Sequence, residues 1–408
     1  MRVGRGLPPL LELSRQHGDE LSVQPVAEGA RRLLLFGFGA LEDMLAKGNL
    51  EYVRHYERYF DVVDVAYLRG HSPQTHTLGR TRCWSLGGRL GSLTDLALAP
   101  LRLYRLAKVI NPTSYLTADI VFCWWTACLL RAGGARVVLM PVSLPESVYA
   151  TNRSMHGVPI WFERALIRLS FICAARIIVP ANGEAQRRWL MSDRFSRRKT
   201  VVTAATVEEY PPADFYASAS GLAPEPPSDV PVLLYVGRLH PEKKAGDLIE
   251  AVAILRDRGI DAQLCLVGDG KDRSRMEARV QELGLAHRVT FRGALPHAAL
   301  VPLYRSATLF VSTVTGTALR EAGLLGVPIV AYAIDWVPDL LRDGETALLA
   351  RAGDPVDLAE AIARALRDPV LRASIGEAFC QEAHARWPLS NIAIGLRDAF
   401  AEDDVAIA

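Results

Sequence analysis

The sequence predicts an α/β protein with two domains, each built on a parallel sheet. The chain has 408 residues, enough for two hydrophobic cores of ordinary domain size. In both halves, short apolar runs typical of buried strands, such as residues 32–38 and 232–236, alternate with longer segments of helical period. Residues 208–230 contain five prolines, which can neither continue a helix nor pair within a central strand. We therefore predict a linker between the two halves.

These features divide the chain into five segments. Residues 1–30 are mixed and polar, and we predict a loosely held extension there. An N-terminal domain over residues 31–207, the linker at 208–230 and a C-terminal domain over 231–385 follow. The last segment, residues 386–408, is predicted to be helical.

The composition excludes several classes of function. The formal net charge is +2, so we predict no nucleic-acid partner. No apolar run approaches the ~20 residues that span a bilayer. The six cysteines show neither CxxC pairs nor metal-ligand spacing. We therefore predict free thiols in a reducing compartment, no metal, no cofactor and a cytoplasmic protein.

The most informative stretch covers residues 308–341. A strand-like apolar run is followed by a polar turn with Thr313 and Gly316, a short helical segment and a second buried strand. The start of such a helix presents unpaired N–H groups and a positive dipole end, which favour a phosphate. Glu321 lies one turn into the helix, where its carboxylate can accept hydrogen bonds from the vicinal hydroxyls of a ribose. The pattern indicates a nucleotide site, whereas a plain βαβ unit would explain only the periodicity.

This stretch resembles the nucleotide-sugar site of family 4 retaining glycosyltransferases, which have the GT-B fold of two Rossmann-like parallel-sheet domains facing a cleft. The family's first glutamate corresponds to Thr313 in this chain. The resemblance implies that Glu321 is catalytic, that Thr313 lies near the transferred sugar, and that Gly316, Thr317 and Ala318 contact the donor. The residues that carry the match are Gly316, Glu321, Ala322, Gly326, Val327 and Pro328.

A second family signature, Gly-Arg…Lys, is similar to the residues that follow the strand at 232–236. Gly237 would approach the donor, while Arg238 offers a planar fork of donors and Lys243 a point charge. Together the two cations could neutralise a diphosphate leaving group. Lys244 occupies a position that the family usually gives to glycine, so which lysine points inward stays open. The alternative is two solvated cations after a strand.

Two further loops extend the donor side by resemblance. A predicted strand at residues 262–267 ends in Gly268, which the family places close to the nucleotide. A second strand at residues 289–293 precedes Leu295, whose backbone groups would read the base.

The N-terminal domain matches the family only in its strand-helix alternation, and the resemblance assigns it to the acceptor. Gly37 and Gly39 would form an acceptor-side loop, although a plain strand-to-helix turn explains them equally well. Many family members carry a histidine after a later strand, where this chain has Ser143 and Glu146. These two either contact the acceptor or, for Glu146, form a solvated carboxylate. We expect residues 70–91 to form a long polar loop that closes over an acceptor.

Two basic segments of this domain raise the question of a membrane partner. Residues 93–110 predict a helix that either lies on an anionic membrane or packs in the core with snorkelling basic side chains, and we favour the core. A second basic cluster either contacts membrane or acceptor phosphates or forms a solvated face. Its members are Arg187, Arg188, Arg194, Arg197, Arg198 and Lys199.

By resemblance, the chain is expected to be a metal-independent retaining glycosyltransferase. It would move a sugar from a nucleoside diphosphate sugar to a sugar or lipid-linked acceptor hydroxyl in bacterial polysaccharide or glycolipid biosynthesis, in the cytoplasm or at the inner face of the plasma membrane. Arg238, Lys243 and the helix-start N–H groups would stabilise the departing diphosphate. The helix at 386–408 would cross back to the N-terminal domain.

Two alternative functions stay open. One is a catalytically silent partner that binds a nucleotide sugar or supports another transferase, which Thr313 and the missing histidine favour. The other is a GT-B nucleotide-sugar epimerase, which would need further acid and base residues in the cleft.

Overall fold

The computed structural model describes most of both predicted domains. The described residues are 29–41, 53–69, 75–88, 93–117, 124–140, 160–180, 190–203, 229–314, 316–334, 336–387 and 398–400. Most of the predicted N-terminal extension, most of the linker and the loop with Ser143 and Glu146 lie outside them.

An eight-stranded sheet organises the described N-terminal residues. Its strand order is β3-β4-β2-β1-β5-β6-β7-β8, and all neighbours are parallel except the hairpin of β3 and β4. Runs such as Leu33, Leu34 and Leu35 are buried on both faces, as helix-covered parallel strands require. The strands are β1 (Arg32–Ala40), β2 (Val62–Arg69), β3 (Thr75–Leu78), β4 (Thr81–Gly88), β5 (Ser114–Thr117), β6 (Arg136–Leu139), β7 (Arg176–Pro180) and β8 (Thr200–Thr203).

Three helices cover one face of this sheet. They are α1 (Leu93–Ile110), α2 (Trp124–Ala132) and α3 (Ile160–Cys173). Leu103, Ala127 and Phe171, one from each helix, belong to a single apolar core with the strand residues Leu34 and Ile177. In α1 the apolar side faces this core, while Arg105 and Lys108 are exposed.

The long polar loop expected at residues 70–91 is wrong, because β3 and β4 form an antiparallel hairpin there. Its inner strand is fixed by a buried charge. Asp64 is fully buried and accepts hydrogen bonds from Arg82 Nε at 2.8 Å, Arg82 Nη2 at 2.6 Å and Trp84 Nε1 at 2.7 Å. A buried carboxylate needs such partners, so the polar residues that suggested a loop are partners of the sheet.

The apolar pattern of residues 118–123 also predicts a strand, and these residues lie outside the described part of the chain. The structure has β5 four residues earlier, at Ser114–Thr117, paired with β1 and β6. All four of its residues are buried, including Ser114 and Thr117, whose polar side chains concealed the strand in the sequence.

The prediction of six free thiols is wrong for two cysteines. Cys128 in α2 and Cys173 at the end of α3 form a disulfide, with their Cα atoms 5.2 Å apart. The helices bring together two cysteines that are 45 positions apart, so no local spacing in the sequence could predict the disulfide. Cys83, Cys265 and Cys380 are free, and Cys123 lies outside the described residues. Burial, with Asp64 nearby, raises the pKa of Cys83 to about 11.

A six-stranded parallel sheet forms the centre of the C-terminal domain. Its order is β11-β10-β9-β12-β13-β14. The strands are β9 (Val232–Val236), β10 (Gln263–Val267), β11 (Val289–Gly293), β12 (Leu309–Ser312), β13 (Ile329–Ala333) and β14 (Leu348–Arg351). The helices are α4 (Gly246–Asp257), α5 (Arg273–Glu282), α6 (His297–Ser306), α7 (Thr317–Leu324), α8 (Val337–Leu340), α9 (Pro355–Arg367) and α10 (Pro369–Arg386).

The order of the C-terminal strands reverses at β9. From β9 the chain proceeds outward through β10 and β11, then returns to the other side of β9 and continues through β12, β13 and β14. In open parallel sheets a crevice for ligands forms where the order reverses, outside the carboxyl ends of the strands. The loops that leave β9 and β12 therefore meet at the place where a ligand is expected.

The last described residues lie against the N-terminal domain. The backbone carbonyl of Ala399 accepts a hydrogen bond from Arg136 Nε at 3.3 Å, and the Phe60 and Phe400 rings stack edge to face at 5.0 Å. Because residues 388–397 lie outside the described part, the crossing of a whole helix stays a prediction.

Candidate active site at the carboxyl ends of β9 and β12

The loop after β9 presents Arg238 to solvent. Its side chain is 69% exposed, and its guanidinium forms one weak ion pair, from Nη2 to Glu242 Oε1 at 3.2 Å. A short 3₁₀ turn, Pro241–Lys243, follows. Because an exposed pair contributes little stability, Arg238 can exchange Glu242 for an anionic ligand at small cost.

Glycines let the loops after β9 and β10 touch backbone to backbone. A Cβ on Gly268 would lie 1.9 Å from the Gly237 carbonyl oxygen, and one on Gly270 would lie 2.2 Å from that of Leu239. The Gly237 N–H donates to the Val267 carbonyl at 2.9 Å. The resemblance associates Gly237 and Gly268 with the donor. The structure shows that the close contact between the two loops already requires glycine at Gly268.

Thr313, at the family's first glutamate position, is fully buried. Its hydroxyl donates to the backbone carbonyl of Lys243 at 2.6 Å and so joins the loop after β12 to the turn after β9. The Tyr235 hydroxyl also interacts with Thr313, and burial raises the pKa of Tyr235, so that hydroxyl stays protonated at neutral pH. Thr313 thus supports the turn that carries Lys243, and its expected contact with a donor stays a prediction.

The two lysines of this turn differ in backbone and direction. Lys244 has a left-handed conformation, with φ 51° and ψ 24°, which explains why glycine suits this position. Its Nζ approaches Gly353, where an added Cβ would lie 3.3 Å away. Lys244 therefore points toward the turn after β14, and Lys243 is the better candidate for a phosphate.

We expect Lys244→Gly to raise the free energy of unfolding by up to about 1 kcal/mol. Glycine removes the left-handed cost of about 1–2 kcal/mol, and its greater freedom in the unfolded chain returns about 0.5–1 kcal/mol. Urea denaturation measures the change. Lys271→Gly is the control, since Lys271 is exposed and has no positive φ. Equal losses of stability in both variants would contradict the expectation.

Helix α7 begins where the phosphate site was predicted. Gly316 precedes it in an extended conformation, and a Cβ there would meet no atom of the described residues within 4 Å. Thr317 and Ala318 form its first turn, so their N–H groups point out of the helix start. The predicted donor residues therefore border open space.

Glu321 lies in the buried side of α7, with 2% of its surface exposed. The Tyr304 hydroxyl from α6 donates to Glu321 Oε2 at 2.9 Å and lies 3.3 Å from the Ala318 carbonyl oxygen. The sequence did not identify Tyr304, because nothing in α6 marks the hydroxyl as a partner of a glutamate 17 residues later. Tyr304 fixes the Glu321 carboxylate before any ligand arrives.

Arg320 is a second residue that sequence reasoning missed. It is 2% exposed, and its guanidinium lies over the rings of Trp336 at 5.0 Å and Trp387 at 5.5 Å. The tryptophans are 16 and 67 residues away, so only the fold brings them to the helix that carries Glu321.

The positions of the remaining predicted residues do not test their proposed roles. Leu295 is half-buried beside the apolar core. Gly37 and Gly39 lie within β1, which extends to Ala40 with a register irregularity after Gly37. The strand-to-helix turn expected at Gly39 is therefore wrong, while an acceptor role for either glycine stays a prediction.

Comparison with known proteins agrees with this geometry. The chain superimposes on sucrose-phosphate synthase from Thermosynechococcus elongatus with a TM-score of 0.70 and 20% identity, covering 91% of this chain and 98% of that one. For Anabaena HepE, solved with UDP and glucose, the TM-score is 0.67 at 17% identity, over 90% and 98% of the two chains. These likenesses show that the chain has the GT-B fold, which confirms the predicted fold class.

Sequence comparison relates the C-terminal domain to known glycosyltransferases. The glycosyl transferases group 1 family matches residues 223–380. Alpha-D-kanosaminyltransferase of Streptomyces kanamyceticus is 30% identical over 216 residues, 52% of this chain and 52% of that protein. Over its C-terminal domain this chain is therefore similar to the glycosyl transferases group 1 family. It spans about half the length of the curated relatives it matches.

Proposed function

We propose that the chain is a retaining glycosyltransferase that moves a sugar from a nucleoside diphosphate sugar to the hydroxyl of a sugar or lipid-linked acceptor. The observation that carries this proposal is the meeting of two loops at the reversal of strand order. The turn with Arg238 and Lys243 is joined by the Thr313 hydrogen bond to the loop that starts α7, the helix of Glu321. The similar transferases and the UDP-bound HepE structure support a nucleotide-sugar donor.

The proposed reaction assigns each residue a physical task. Arg238, Lys243 and the N–H groups of Thr317 and Ala318 stabilise negative charge on the diphosphate as the bond between it and the sugar anomeric carbon breaks. Glu321, held by Tyr304, accepts hydrogen bonds from the ribose. The acceptor oxygen attacks from the face that the diphosphate leaves, and its proton passes to a phosphate oxygen, which retains the anomeric configuration.

The proposal includes a cellular setting. We place the reaction in bacterial polysaccharide or glycolipid synthesis, at the cytoplasmic face of a membrane that carries the acceptor. Among the described residues no helix is long and apolar enough to cross a bilayer. A lipid-linked acceptor would then be reached from the membrane surface.

A thermal-shift screen against nucleoside diphosphate sugars tests the donor site. At 100 times its dissociation constant, a bound donor adds about 2.7 kcal/mol to the free energy of unfolding. Arg238→Ala should weaken binding of that donor about 10- to 100-fold, since a charge-assisted contact to phosphate contributes about 1.5–3 kcal/mol. Arg367→Ala, at an exposed position at the end of α9, should leave binding unchanged.

Transfer and its stereochemistry complete the test. With the identified donor, NMR of the released or transferred sugar should show the anomeric configuration of the donor. Inversion would overturn the retaining mechanism. Stabilisation by a donor without any transfer or hydrolysis would favour the silent nucleotide-sugar-binding partner, which the absence of a carboxylate at Thr313 would then explain.

A further inference from the structure

Helix α3 turns an apolar stripe outward. Trp161 is 69% exposed, Phe162 42%, Leu169 39% and Ile172 51%. With the exposed Ala165, these positions fall at helical spacing on one side of the helix. The opposite side, with Phe171, is buried in the core. The outward side of a surface helix normally carries polar and charged residues, so an outward apolar stripe requires an explanation.

The exposed apolar residues are concentrated on one domain face. Of the ten large hydrophobic side chains that are exposed in the described part of the chain, eight lie in the N-terminal domain. They are Leu98, Val109, Leu129, Trp161, Phe162, Leu169, Ile172 and Met191. All but Met191 belong to α1, α2 and α3, which cover the same face of the sheet. Apolar exposure that is concentrated in one group of helices is typical of an interaction surface.

Basic residues surround the stripe. Residues 160–173 and 190–199 contain six lysines and arginines but two acidic residues. One of the acids, Asp193, is buried and accepts from Arg168 Nε at 2.9 Å, whereas Arg194, Arg197 and Arg198 are exposed. A surface pocket lined by Arg168, Ser192, Asp193, Arg194 and Phe195 adjoins the stripe. The surface is therefore complementary to negative charge.

The helix is held in place on its domain. Its last residue forms the disulfide with Cys128 of α2. The Lys199 ammonium donates to the carbonyls of Phe171 at 2.9 Å and Ile172 at 3.0 Å at the helix end. The stripe is thus presented by a fixed element and not by a loose segment.

We propose that the outward stripe of α3 and the basic segment 191–199 form a docking surface for an anionic membrane. We call it the α3 surface. The helix lies in the plane of the lipid headgroups, with Trp161, Phe162, Leu169 and Ile172 in the outer acyl region, while the arginines of 194–198 contact lipid phosphates. The inference rests on the proposed function only in choosing a membrane that carries the acceptor.

A second copy of the chain fits this surface less well. A two-fold dimer through the α3 surface would bring identical patches together. Arg194, Arg197 and Arg198 of each copy would then approach those of the other, and like charges at an interface disfavour association. An anionic bilayer accepts both the apolar stripe and the arginines.

Vesicle sedimentation of the full chain tests the α3 surface. The vesicles contain either phosphatidylcholine alone or phosphatidylcholine mixed with the anionic lipid phosphatidylglycerol. The wild type should bind the anionic vesicles and release at high salt, because charge attraction is screened. Trp161→Ser/Ile172→Ser should lower the vesicle partition coefficient about tenfold or more. Arg194→Gln/Arg197→Gln should lower it about 30-fold, from about fivefold per arginine.

The matched control makes the same kind of apolar-to-serine substitution in the other domain. Val356→Ser/Val370→Ser removes the two exposed large hydrophobic residues described there, at 54% and 80% exposure, and should leave vesicle binding unchanged. Thermal unfolding of each variant verifies that it folds. Donor-induced stabilisation should persist in all of them, so loss of vesicle binding with an intact donor site is distinguishable from failure of the transferase proposal.

Three results would overturn the assignment. One is equal binding of wild type and both α3-surface variants to anionic vesicles. Another is wild-type binding to neutral vesicles that matches binding to anionic ones. The third is a wild-type dimer, seen by light scattering, that Trp161→Ser/Ile172→Ser converts to monomer while vesicle binding stays unchanged.

Discussion

Glu321→Gln should weaken binding of the nucleotide-sugar donor by about 10- to 100-fold and leave the free energy of unfolding within about 1 kcal/mol of wild type. Glutamine keeps the side-chain volume and an oxygen that can accept the Tyr304 hydroxyl at the position of Oε2. It lacks the negative charge, and hydrogen bonds to charged groups contribute about 1.5–3 kcal/mol. Isothermal titration with the donor that stabilises the wild type measures the loss. Alanine would be a poorer test, since it also leaves a cavity beside Tyr304.

A deoxyribose analogue of the donor sharpens this test. If Glu321 binds the ribose hydroxyls, the wild type should lose affinity for the analogue, while Glu321→Gln should lose little more, because the two changes remove the same interaction. Glu282→Gln, with its side chain 63% exposed at the end of α5, is the matched control and should behave as wild type. Independent, additive losses would show that Glu321 acts elsewhere.

Gly268→Ala should lower the free energy of unfolding by about 4 kcal/mol and abolish donor binding. The new Cβ would lie 1.9 Å from the Gly237 carbonyl oxygen, and neither backbone can move without breaking the contact between the β9 and β10 loops. Overpacking costs about 1–3 kcal/mol, and the backbone at φ 132° adds about 1–3 kcal/mol of strain for a residue with a side chain. Urea denaturation and the donor-induced thermal shift measure the two effects.

Two other glycines separate the causes. Gly284→Ala also has a positive φ, 66°, but its Cβ would meet nothing within 4 Å, so it should cost only the backbone strain of about 1–2 kcal/mol. Gly316→Ala has an extended φ and open space, and should change stability by less than about 0.5 kcal/mol. A Gly268→Ala variant as stable as Gly316→Ala would refute the close approach.

The C-terminal domain could be predicted closely, because its strands are continuous apolar runs and its helices are local. Strands β9 and β11 have the predicted bounds. The N-terminal domain was harder, since its hairpin depends on the buried Asp64 with Arg82 and Trp84, and its disulfide joins distant helices. Such pairings are set by tertiary structure, which residue-by-residue periodicity does not encode.

The candidate site followed the same division. Arg238, Lys243 and Glu321 could be proposed from short motifs, because each motif lies at the end of one strand or the start of one helix. The groups that position these residues could not be predicted from the sequence. The Tyr304 hydroxyl and the Lys243 carbonyl bound by Thr313 are meaningful only once β9 and β12 are neighbours.

The stacking of Arg320 determines how α7 can respond to motion of the last part of the chain. Trp387 ends α10, and the described residues beyond it contact the N-terminal domain. A guanidinium over a ring face is attracted wherever it lies within about 6 Å of the centroid, so the contact has no fixed angle. The contact between the Arg320 guanidinium and the Trp387 ring therefore persists over a range of ring orientations. Arg320 therefore joins α7 to the end of α10 through a contact that tolerates a change of angle, next to the carboxylate that we propose binds the ribose.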